Sequence, residues 1–300
     1  MKRIVVTGGT GFIGMHLMEP LRRRGFEIHV IGRQRPVDPQ SVFHEADVLN
    51  VDQTRRALAA ARGSHLLHLA WAVAPGQFWS SPDNLDWVAA SLGLLRNFAE
   101  CGGHRAVMAG TCAEYLWGAE RFHESDTPRR PATLYGVSKD ALRRVMTAYG
   151  EMAPLSIGWG RIFFLYGPGE KPGRLVSDAI LHLLSRRKFP TSHGLQRRDF
   201  MHVSDVAGAF AALVDADVRG PVNIGSGAAV SVRSLLESIG RETGGLDCLQ
   251  FGERPFPAHE PDQIEADVTR LADEVGFRPR YDIAAGLVDT IAWWRRQQCR

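Results

Sequence analysis

The chain has 300 residues, of which 44% are apolar and 23% are charged. That length and composition allow a large core, so they exclude disorder as the default and predict one large domain or two closely packed ones. The 36 basic and 33 acidic residues give a formal net charge of +3 and are spread along the chain. This distribution is neither the basic surface of a nucleic-acid-binding protein nor a polybasic membrane anchor.

The cysteines and the apolar stretches indicate the cellular compartment in which the protein works. No Cys-x-x-Cys pair and no zinc-type spacing occurs, so we expect free thiols and no metal site. The first apolar run, residues 4–6, is followed at once by a glycine-rich turn, which leaves no room for a signal peptide. No stretch approaches the ~18 uncharged apolar residues of a membrane span, so we expect a cytoplasmic protein. The four cysteines are Cys101, Cys112, Cys248 and Cys299.

Short β-branched runs alternate with longer amphipathic stretches through the first half of the chain, which is typical of β-α-β units on a parallel sheet. Strands are predicted at residues 3–7, 27–31, 65–69, 105–109 and 156–163. Helices are predicted at residues 12–24, 51–61 and 86–101, each ending near a glycine. After about residue 165 the alternation stops and prolines punctuate shorter elements. The sequence therefore predicts an α/β protein with a second, smaller lobe.

A glycine-rich turn follows the first predicted strand and precedes the first predicted helix. Gly8, Gly11 and Gly14 stand there at a Gly-x-x-Gly-x-x-Gly spacing. Glycines allow a tight turn and a close approach of a pyrophosphate, while the next helix presents free N–H groups and its positive dipole end. An ordinary glycine-rich turn is the alternative, but the strand and helix on either side favour a dinucleotide site.

The end of the second predicted strand bears on the type of dinucleotide. A site that selects NAD usually carries an Asp or Glu there, whereas this chain reads Gly32-Arg33-Gln34-Arg35. The Arg33 guanidinium suits a 2′-phosphate, so we predict NADP(H), with NAD(H) as the alternative. The alternative interpretation of Arg33 is a solvated surface arginine.

Three side chains form a candidate catalytic set. Tyr135 and Lys139 are four residues apart, so on a helix they share one face. An ammonium near a phenol favours the phenolate, and a hydroxyl such as that of Thr111 can hydrogen-bond the same substrate oxygen. Lys139 is one of only four lysines in the chain. The set predicts a proton donor beside a carbonyl.

Taken together, these motifs resemble the extended short-chain dehydrogenase/reductase family over nearly the whole chain. The resemblance implies a Rossmann doubly wound parallel sheet at residues 1–165 and 198–228, and a smaller C-terminal α/β substrate lobe at 166–197 and 229–300. It also implies a nucleoside-diphosphate sugar as substrate, and a homodimer formed through helices at 86–101 and 137–149. The further motifs that carry it are His68-Leu69-Ala70, Arg161 to Gly169, Arg198 to Val206, Asn223-Ile224-Gly225 and Gly276 to Pro279.

The resemblance also assigns residues to the two ligands. Arg198 would meet the substrate diphosphate and Asp47 the adenine; a salt bridge of Arg198 with Asp199 or Asp205, and a helix cap by Asp47, are the structural alternatives. The cofactor set is Gly8, Thr10, Gly11, Phe12, Ile13, Gly14, Arg33, Asp47, Val48, Leu69, Ala70, Tyr135 and Lys139. The substrate set is Trp71, Cys112, Ala113, Phe164, Arg174 and Arg198.

Local residues discriminate among the family's reactions. Sugar 4,6-dehydratases follow the Thr with an Asp-Glu pair, whereas this chain has Cys112 and Ala113, which cannot act as that acid and base. Glu114 could take a shifted role, or could simply pair with an arginine such as Arg121. Phe164 stands where many relatives have an Asn that contacts the diphosphate.

We therefore expect an NADPH-dependent reductase of a nucleoside-diphosphate 4-keto-6-deoxy sugar, with Tyr135 as proton donor and Lys139 and Thr111 beside it. A nucleotide-sugar epimerase with tightly bound NAD is the first alternative. A non-catalytic dinucleotide sensor is an alternative from another class. The loop from Trp71 to Trp79 carries three large aromatics, which could pack on a sugar or nicotinamide ring or could anchor the loop.

Overall fold

The computed structural model describes residues 2–256 and 260–298, so Cys299 lies outside the described residues. Seven strands, numbered in chain order with the rest, pair in parallel in one sheet. They are β1 (Lys2–Thr7), β2 (Phe26–Gly32), β3 (Val42–Glu45), β4 (His65–His68), β5 (Arg105–Thr111), β6 (Ser156–Ile162) and β11 (Gly220–Ile224).

The strand order in this sheet is β11-β6-β5-β4-β1-β2-β3. The order reverses between β1 and β4, and open α/β sheets bind ligands outside the carboxyl ends of the strands at such a point. The doubly wound Rossmann fold is thus confirmed. The five predicted strands are present with shifted ends, and β3 and β11 join them at the two edges of the sheet.

Helices cover both faces of the sheet. One buried cluster packs α1 (Met18–Arg23) and α6 (Val203–Asp215) against β1 and β2 through Leu21, Phe210 and Ile28. The other packs α2 (Val51–Ala61), α3 (Asp83–Glu100) and α4 (Leu134–Met152) against the opposite face through Leu58, Leu94 and Met146. No helix among residues 2–256 and 260–298 is long and apolar enough to cross a membrane.

The predicted helix at 12–24 is wrong in part, because it is broken. A 3-10 turn at Gly14–His16 precedes α1, which begins only at Met18. Pro20 explains the break: it has no N–H to donate to the carbonyl of His16, and its ring disfavours a helix running through that position. In contrast, α2 coincides with the predicted 51–61, and the Asn50 side chain caps it by accepting from the N–H groups of Asp52 and Gln53.

A separate apolar cluster lies among the C-terminal elements and holds Ile180, Leu236 and Leu287. These residues come from α5 (Leu175–Leu184), α7 (Val232–Thr243) and α9 (Ile283–Gln298). A short helix, α8, spans Thr269–Asp273. The remaining strands are β7 (Phe164–Tyr166), β8 (Phe189–Thr191), β9 (Arg197–Arg198), β10 (Phe200–His202), β12 (Val230–Ser231), β13 (Leu249–Phe251) and β14 (Gln263–Ile264).

Candidate functional site

The glycine-rich turn forms a close-fitting cradle at the carboxyl end of β1. Gly8 has φ +76°, and a Cβ on it would lie 2.8 Å from the backbone nitrogen of Ala70. A Cβ on Gly14 would lie 2.1 Å from the Gly8 carbonyl oxygen. In the described part of the chain, the N–H groups of Phe12 and Ile13 donate to no protein acceptor. A tight turn with free amides is what a dinucleotide pyrophosphate requires, so these residues fit that cofactor.

The residues that would meet the other parts of the dinucleotide lie at the neighbouring strand ends. Arg33 is exposed and directly follows β2, and the Gly32 carbonyl before it accepts from the N–H of Ala46. Asp47 accepts through Oδ1 from the N–H of Leu49 at 3.0 Å. The helix-cap alternative for Asp47 is wrong, because α2 is capped by Asn50. The roles of Arg33 and Asp47 toward a cofactor stay predictions.

Thr111 ends β5 and opens a 3-10 turn at Cys112–Glu114. Its Oγ1 accepts from the N–H of Ala113 at 3.2 Å, and its own N–H donates to Glu114 Oε1 at 2.9 Å. This reciprocal pair is a capping box, which fixes the backbone where β5 ends. The hydroxyl of Thr111 is thereby held at the carboxyl edge of the sheet, where the sequence placed it.

Glu114 is fully buried, and both of its carboxylate oxygens are occupied. Oε1 also accepts from Trp159 Nε1 at 2.8 Å, and Oε2 accepts from Arg161 Nε at 2.7 Å. Arg161 is fully buried as well and donates through Nη1 to the hydroxyl of Tyr115 at 2.9 Å. With its lone pairs engaged, Glu114 is a structural anchor of the Thr111 turn, and the shifted acid/base role considered from sequence is not supported.

The expected arginine partner of Glu114 was wrong. Arg121 is half exposed and instead pairs with the buried Glu265, its Nη2 lying 2.6 Å from Oε1 of that carboxylate. The true partner, Arg161, is 47 residues away from Glu114 along the chain on the adjacent strand β6. Only the parallel pairing of β5 with β6 brings the two groups together.

Tyr135 and Lys139 lie on one face of α4, as the spacing predicted, and both are buried. Thr133 begins the helix by accepting from the N–H of Gly136. Burial raises the pKa of Tyr135 above its usual value, while the Thr111 hydroxyl near it acts in the opposite direction. Burial lowers the pKa of Lys139 to about 7, and its Nζ donates to the Ala109 carbonyl at 2.9 Å.

The loop at residues 71–82, named the aromatic loop below, lies over Tyr135. The Phe78 and Trp79 rings stand nearly perpendicular to the phenol ring, with centroids 4.9 and 5.8 Å away. The Trp79 carbonyl accepts from the N–H of Tyr135 at 3.1 Å. Arg174 precedes α5, donates to the Val73 carbonyl and lies over the Phe78 ring at 5.4 Å. The aromatic loop therefore contacts both the candidate catalytic helix and a candidate substrate residue.

Arg198 is buried, and its Nη2 donates to Glu260 Oε1 at 2.5 Å. Both salt-bridge partners suggested from sequence were wrong. Asp199 accepts from backbone N–H groups, including that of Ser226, and Asp205 accepts from the N–H of Arg280 and of the residue after it. These aspartates organise loops, which leaves Arg198 with the carboxylate of Glu260.

Phe164 lies beside Arg198, whereas Cys112 and Ala113 lie in the turn that follows Thr111. The Arg198 guanidinium is 5.7 Å from the centre of the Phe164 ring. Cys112 is buried, and burial raises the pKa of its thiol to about 12, which keeps it protonated. Ala113 lines a cavity of about 150 Å³ together with Trp117 and Thr133. These four candidate substrate residues thus come from three places in the chain: strand β9, strand β7 and the turn after β5.

Sequence reasoning missed several residues that support the site. Asn84 is buried at the start of α3 and accepts from Trp71 Nε1 at 2.9 Å. His68 is buried at the end of β4 and bonds Thr7 at 2.6 Å and Ser91 at 2.9 Å. Burial lowers the pKa of His68 to about 3, so it is neutral. An Asn directly after a helix-opening Pro-Asp pair is the one local signal that could have indicated Asn84.

The carboxyl edge of one Rossmann sheet holds a glycine-rich turn that fits a pyrophosphate and the Thr111, Tyr135 and Lys139 side chains. Together these features define an enzyme of the extended short-chain dehydrogenase/reductase class. The chain belongs to the NAD dependent epimerase/dehydratase family, whose model matches residues 4–225. It is therefore an NAD(P)-dependent oxidoreductase-type enzyme, and the sensor alternative is set aside.

Individual relatives cover almost the entire chain. MoeE5, solved in complex with UDP-glucuronic acid and NAD, is 31% identical with a TM-score of 0.82, covering 98% of this chain and 99% of that one. UDP-glucuronic acid decarboxylase 1 of Xenopus tropicalis is 26% identical over 99% of this chain and 73% of its own. UDP-glucose 4-epimerase of Neisseria meningitidis serogroup A is 26% identical over 98% of this chain and 97% of its own.

Proposed function

We propose that the protein is a nucleoside-diphosphate-sugar epimerase that keeps its nicotinamide dinucleotide bound and uses it in both directions within one turnover. Support comes from the relatives, which include a UDP-glucose 4-epimerase and a protein solved with UDP-glucuronic acid and NAD. These relatives favour the epimerase, which sequence reasoning ranked second, over NADPH-dependent ketoreduction.

One observation carries the proposal: the Thr111 turn, Tyr135 and Lys139 meet at the end of β5, at the same edge of the sheet as the glycine cradle at the end of β1 and separated from it by strand β4. Lys139 Nζ reaches the Ala109 carbonyl of β5, and the Thr111 hydroxyl influences the pKa of Tyr135. Phenol, hydroxyl and ammonium at one sheet edge form a proton-transfer site, which hydride chemistry at a sugar carbon requires.

The protein's own part in the reaction is to bind, orient and exchange a proton. When bound, the dinucleotide supplies and accepts the hydride. Tyr135 Oη removes the proton of the sugar hydroxyl during oxidation and returns it during reduction, and Thr111 Oγ1 orients that same oxygen. Burial of the pair under the aromatic loop excludes water from the transfer, because the Phe78 and Trp79 rings cover the phenol.

The Cys112 and Ala113 positions limit the reaction type. A thiol kept protonated by burial and a methyl group provide no second acid/base pair next to Thr111. An elimination of water at the neighbouring carbons needs such a pair, so the geometry favours redox exchange at a single carbon. This supports epimerisation, and it equally allows ketoreduction.

Ketoreduction with NADPH is the second candidate, favoured by Arg33. Its exposed guanidinium follows β2, where an acid would select NAD. Arg33→Ala tests the preference: it should weaken NADPH binding far more than NADH binding, measured by fluorescence titration. Equal losses for the two cofactors would remove the argument for NADP(H).

Substrate binding is proposed to involve both lobes, with the division between them as predicted from sequence. In this proposal Arg198 binds the diphosphate as a planar two-donor group, and Phe164 supplies an apolar wall. Arg198 must exchange its bond to Glu260 for the phosphates, because the guanidinium is already paired with that carboxylate. Diphosphate binding and the release of Glu260 are therefore coupled.

We further propose a homodimer formed through α3 and α4. The outer face of these helices exposes large apolar side chains, which a second copy would cover. They are Leu85, Val137, Val145 and Met152. Sedimentation of the purified protein tests this, since Val145→Glu should convert a dimer into monomers while leaving the fold intact.

Release and identification of the dinucleotide that the purified protein carries tests the proposed function. Near-stoichiometric NAD is the expected result for an epimerase. An empty site that prefers NADPH would favour the reductase instead.

A further inference from the structure

The aromatic loop, residues 71–82, contacts both catalytic side chains of α4. Its Trp79 carbonyl fixes the backbone of Tyr135, and its Phe78 ring packs edge-on against the phenol. At its other end, the Trp71 ring stands at 74° to the Tyr135 ring, with 6.4 Å between centroids. One loop is therefore in position to affect the proton donor and the lysine together.

The Trp71 indole lies against the ammonium of Lys139. Nζ is 3.6 Å from the centre of the indole ring, the distance of a close cation–π contact. The indole edge is fixed, because Nε1 donates to Asn84 Oδ1 at 2.9 Å. Asn84 in turn donates to the carbonyls of Phe78 and Ser81, both at 2.8 Å, which settles its orientation. The ring therefore has one orientation toward the ammonium.

Lys139 has few other groups to stabilise its charge. In the described part of the chain, the Ala109 carbonyl is the only hydrogen-bond acceptor for Nζ. The charge of Glu114 favours the ammonium, whereas burial disfavours it and lowers the pKa of Lys139 to about 7. His68 is close enough for the lysine charge to lower its pKa further, and it remains neutral. Burial also raises the pKa of Tyr135 on the same helix, so the phenolate that accepts the sugar proton depends on a nearby positive charge such as the Lys139 ammonium.

We propose that Trp71 is a positioning residue for the catalytic lysine: its indole face holds the Lys139 ammonium charged and against the Ala109 carbonyl, and Asn84 fixes the indole. This assigns Trp71 a role different from the substrate stacking considered from sequence. The inference rests on the proposed function only for its catalytic consequence. The contact itself is testable without a substrate.

The test uses the small number of lysines. The protein is labelled with lysine carrying ¹³C at Cε, which gives signals from Lys2, Lys139, Lys171 and Lys188. Lys139→Met identifies the Lys139 signal by its loss. The pH midpoint of that signal reports the charge of the ammonium directly, in the protein as purified and with no sugar added.

Fluorinated tryptophan then changes the electrostatics of the indole face without changing its shape. Each added fluorine withdraws charge from the ring face, so the Lys139 midpoint should fall in steps, by about one pH unit in total, which corresponds to about 1.4 kcal/mol. Fluorination affects all seven tryptophans, so the same series is run in Trp71→Phe, where the Lys139 midpoint should not move in steps.

Two outcomes overturn the proposal. One is a Lys139 midpoint that stays constant across the fluorinated series. The other is an equal fall in the Trp71→Phe background, which would assign the effect to Trp87, whose ring stacks on Trp71 with 6.0 Å between centroids, or to another tryptophan. Failure of the epimerase assay would not alter these signals, so the positioning role and the proposed function can fail separately.

Discussion

Replacement of Glu114 by Gln tests the buried anchor beneath Thr111. The change keeps the size of the side chain and keeps an oxygen for the N–H groups of Thr111 and Trp159. The other oxygen becomes an NH₂ group, which would face the Arg161 Nε donor now 2.7 Å away. Two donors then meet in a fully buried site, and the Arg161 guanidinium loses its counter-charge.

The expected cost follows from burial. Removing one partner of a fully buried ion pair costs about 3–5 kcal/mol, because the remaining charge stays uncompensated in a low dielectric. Because the glutamine side chain would still accept from the N–H groups of Thr111 and Trp159, we expect the lower end, about 3 kcal/mol. That is a large part of the 5–15 kcal/mol stability typical of a domain (about 20–60%), so the loss is readily measured.

Urea unfolding followed by circular dichroism is the assay, with Arg121→Gln as the matched control. Half of the Arg121 side chain is exposed, although Glu265 is buried, so water replaces the guanidinium when Arg121 is changed and the loss should cost about 1 kcal/mol or less. Replacing both buried charges, as in Glu114→Gln with Arg161→Met, leaves the glutamine oxygen to accept from Thr111 and Trp159 and should recover much of the stability. A loss for Glu114→Gln no larger than that for Arg121→Gln would refute the reasoning.

Three further predictions concern other parts of the fold. Burial raises the pKa of Glu170 from 4.5 to about 7. The stability that the protonated carboxyl contributes is therefore complete below pH 4.5, and about 3 kcal/mol of it is lost as the pH rises from 4.5 through 7. Glu170→Gln should remove this pH dependence of the free energy of unfolding, measured in urea. Gly14→Ala should abolish dinucleotide binding in calorimetry, because its Cβ would lie 2.1 Å from the Gly8 oxygen. Gly25→Ala, which has open space around the Cβ but a φ of +79° that strains an alanine, should lose some stability and retain binding. Glu260→Gln should free Arg198 and tighten UDP binding roughly fivefold, or about 1 kcal/mol; unchanged calorimetric affinity would contradict the coupling.

Local sequence signals predicted the parts of the fold that depend on near neighbours. The apolar spacing and flanking residues of α2 suffice to define it, and the glycine turn needs only the strand before it and the helix after it. Strand β3 was missed because Val-Phe-His-Glu is a half-polar edge segment without a continuous apolar run. The broken first helix could have been predicted from Pro20, whose missing N–H is a local property.

The sequence predicted those contacts of the site that join residues a few positions apart on one helix. It did not predict the contacts between residues that only strand pairing or loop packing brings together. Tyr135 and Lys139 share a helix face, so their separation of four residues places them together. Glu114 and Arg161 meet only because β5 pairs with β6, and Arg198 meets Glu260 across 62 residues of chain. Trp71 was noticed as an aromatic residue in a ligand-binding loop, but its contact with Lys139 depends on how that loop packs on α4.

The central claim is that the protein inverts a sugar carbon with no net use of reductant. The most direct measurement incubates the purified protein, without added NADPH, with UDP-glucose and separately with UDP-glucuronic acid, and follows the C4 configuration by proton NMR. The account predicts formation of the C4 epimer at constant nicotinamide absorbance, and none with Tyr135→Phe. No epimer from either sugar, together with stoichiometric NADPH oxidation by a 4-keto-6-deoxy sugar nucleotide, would contradict the account and identify a reductase.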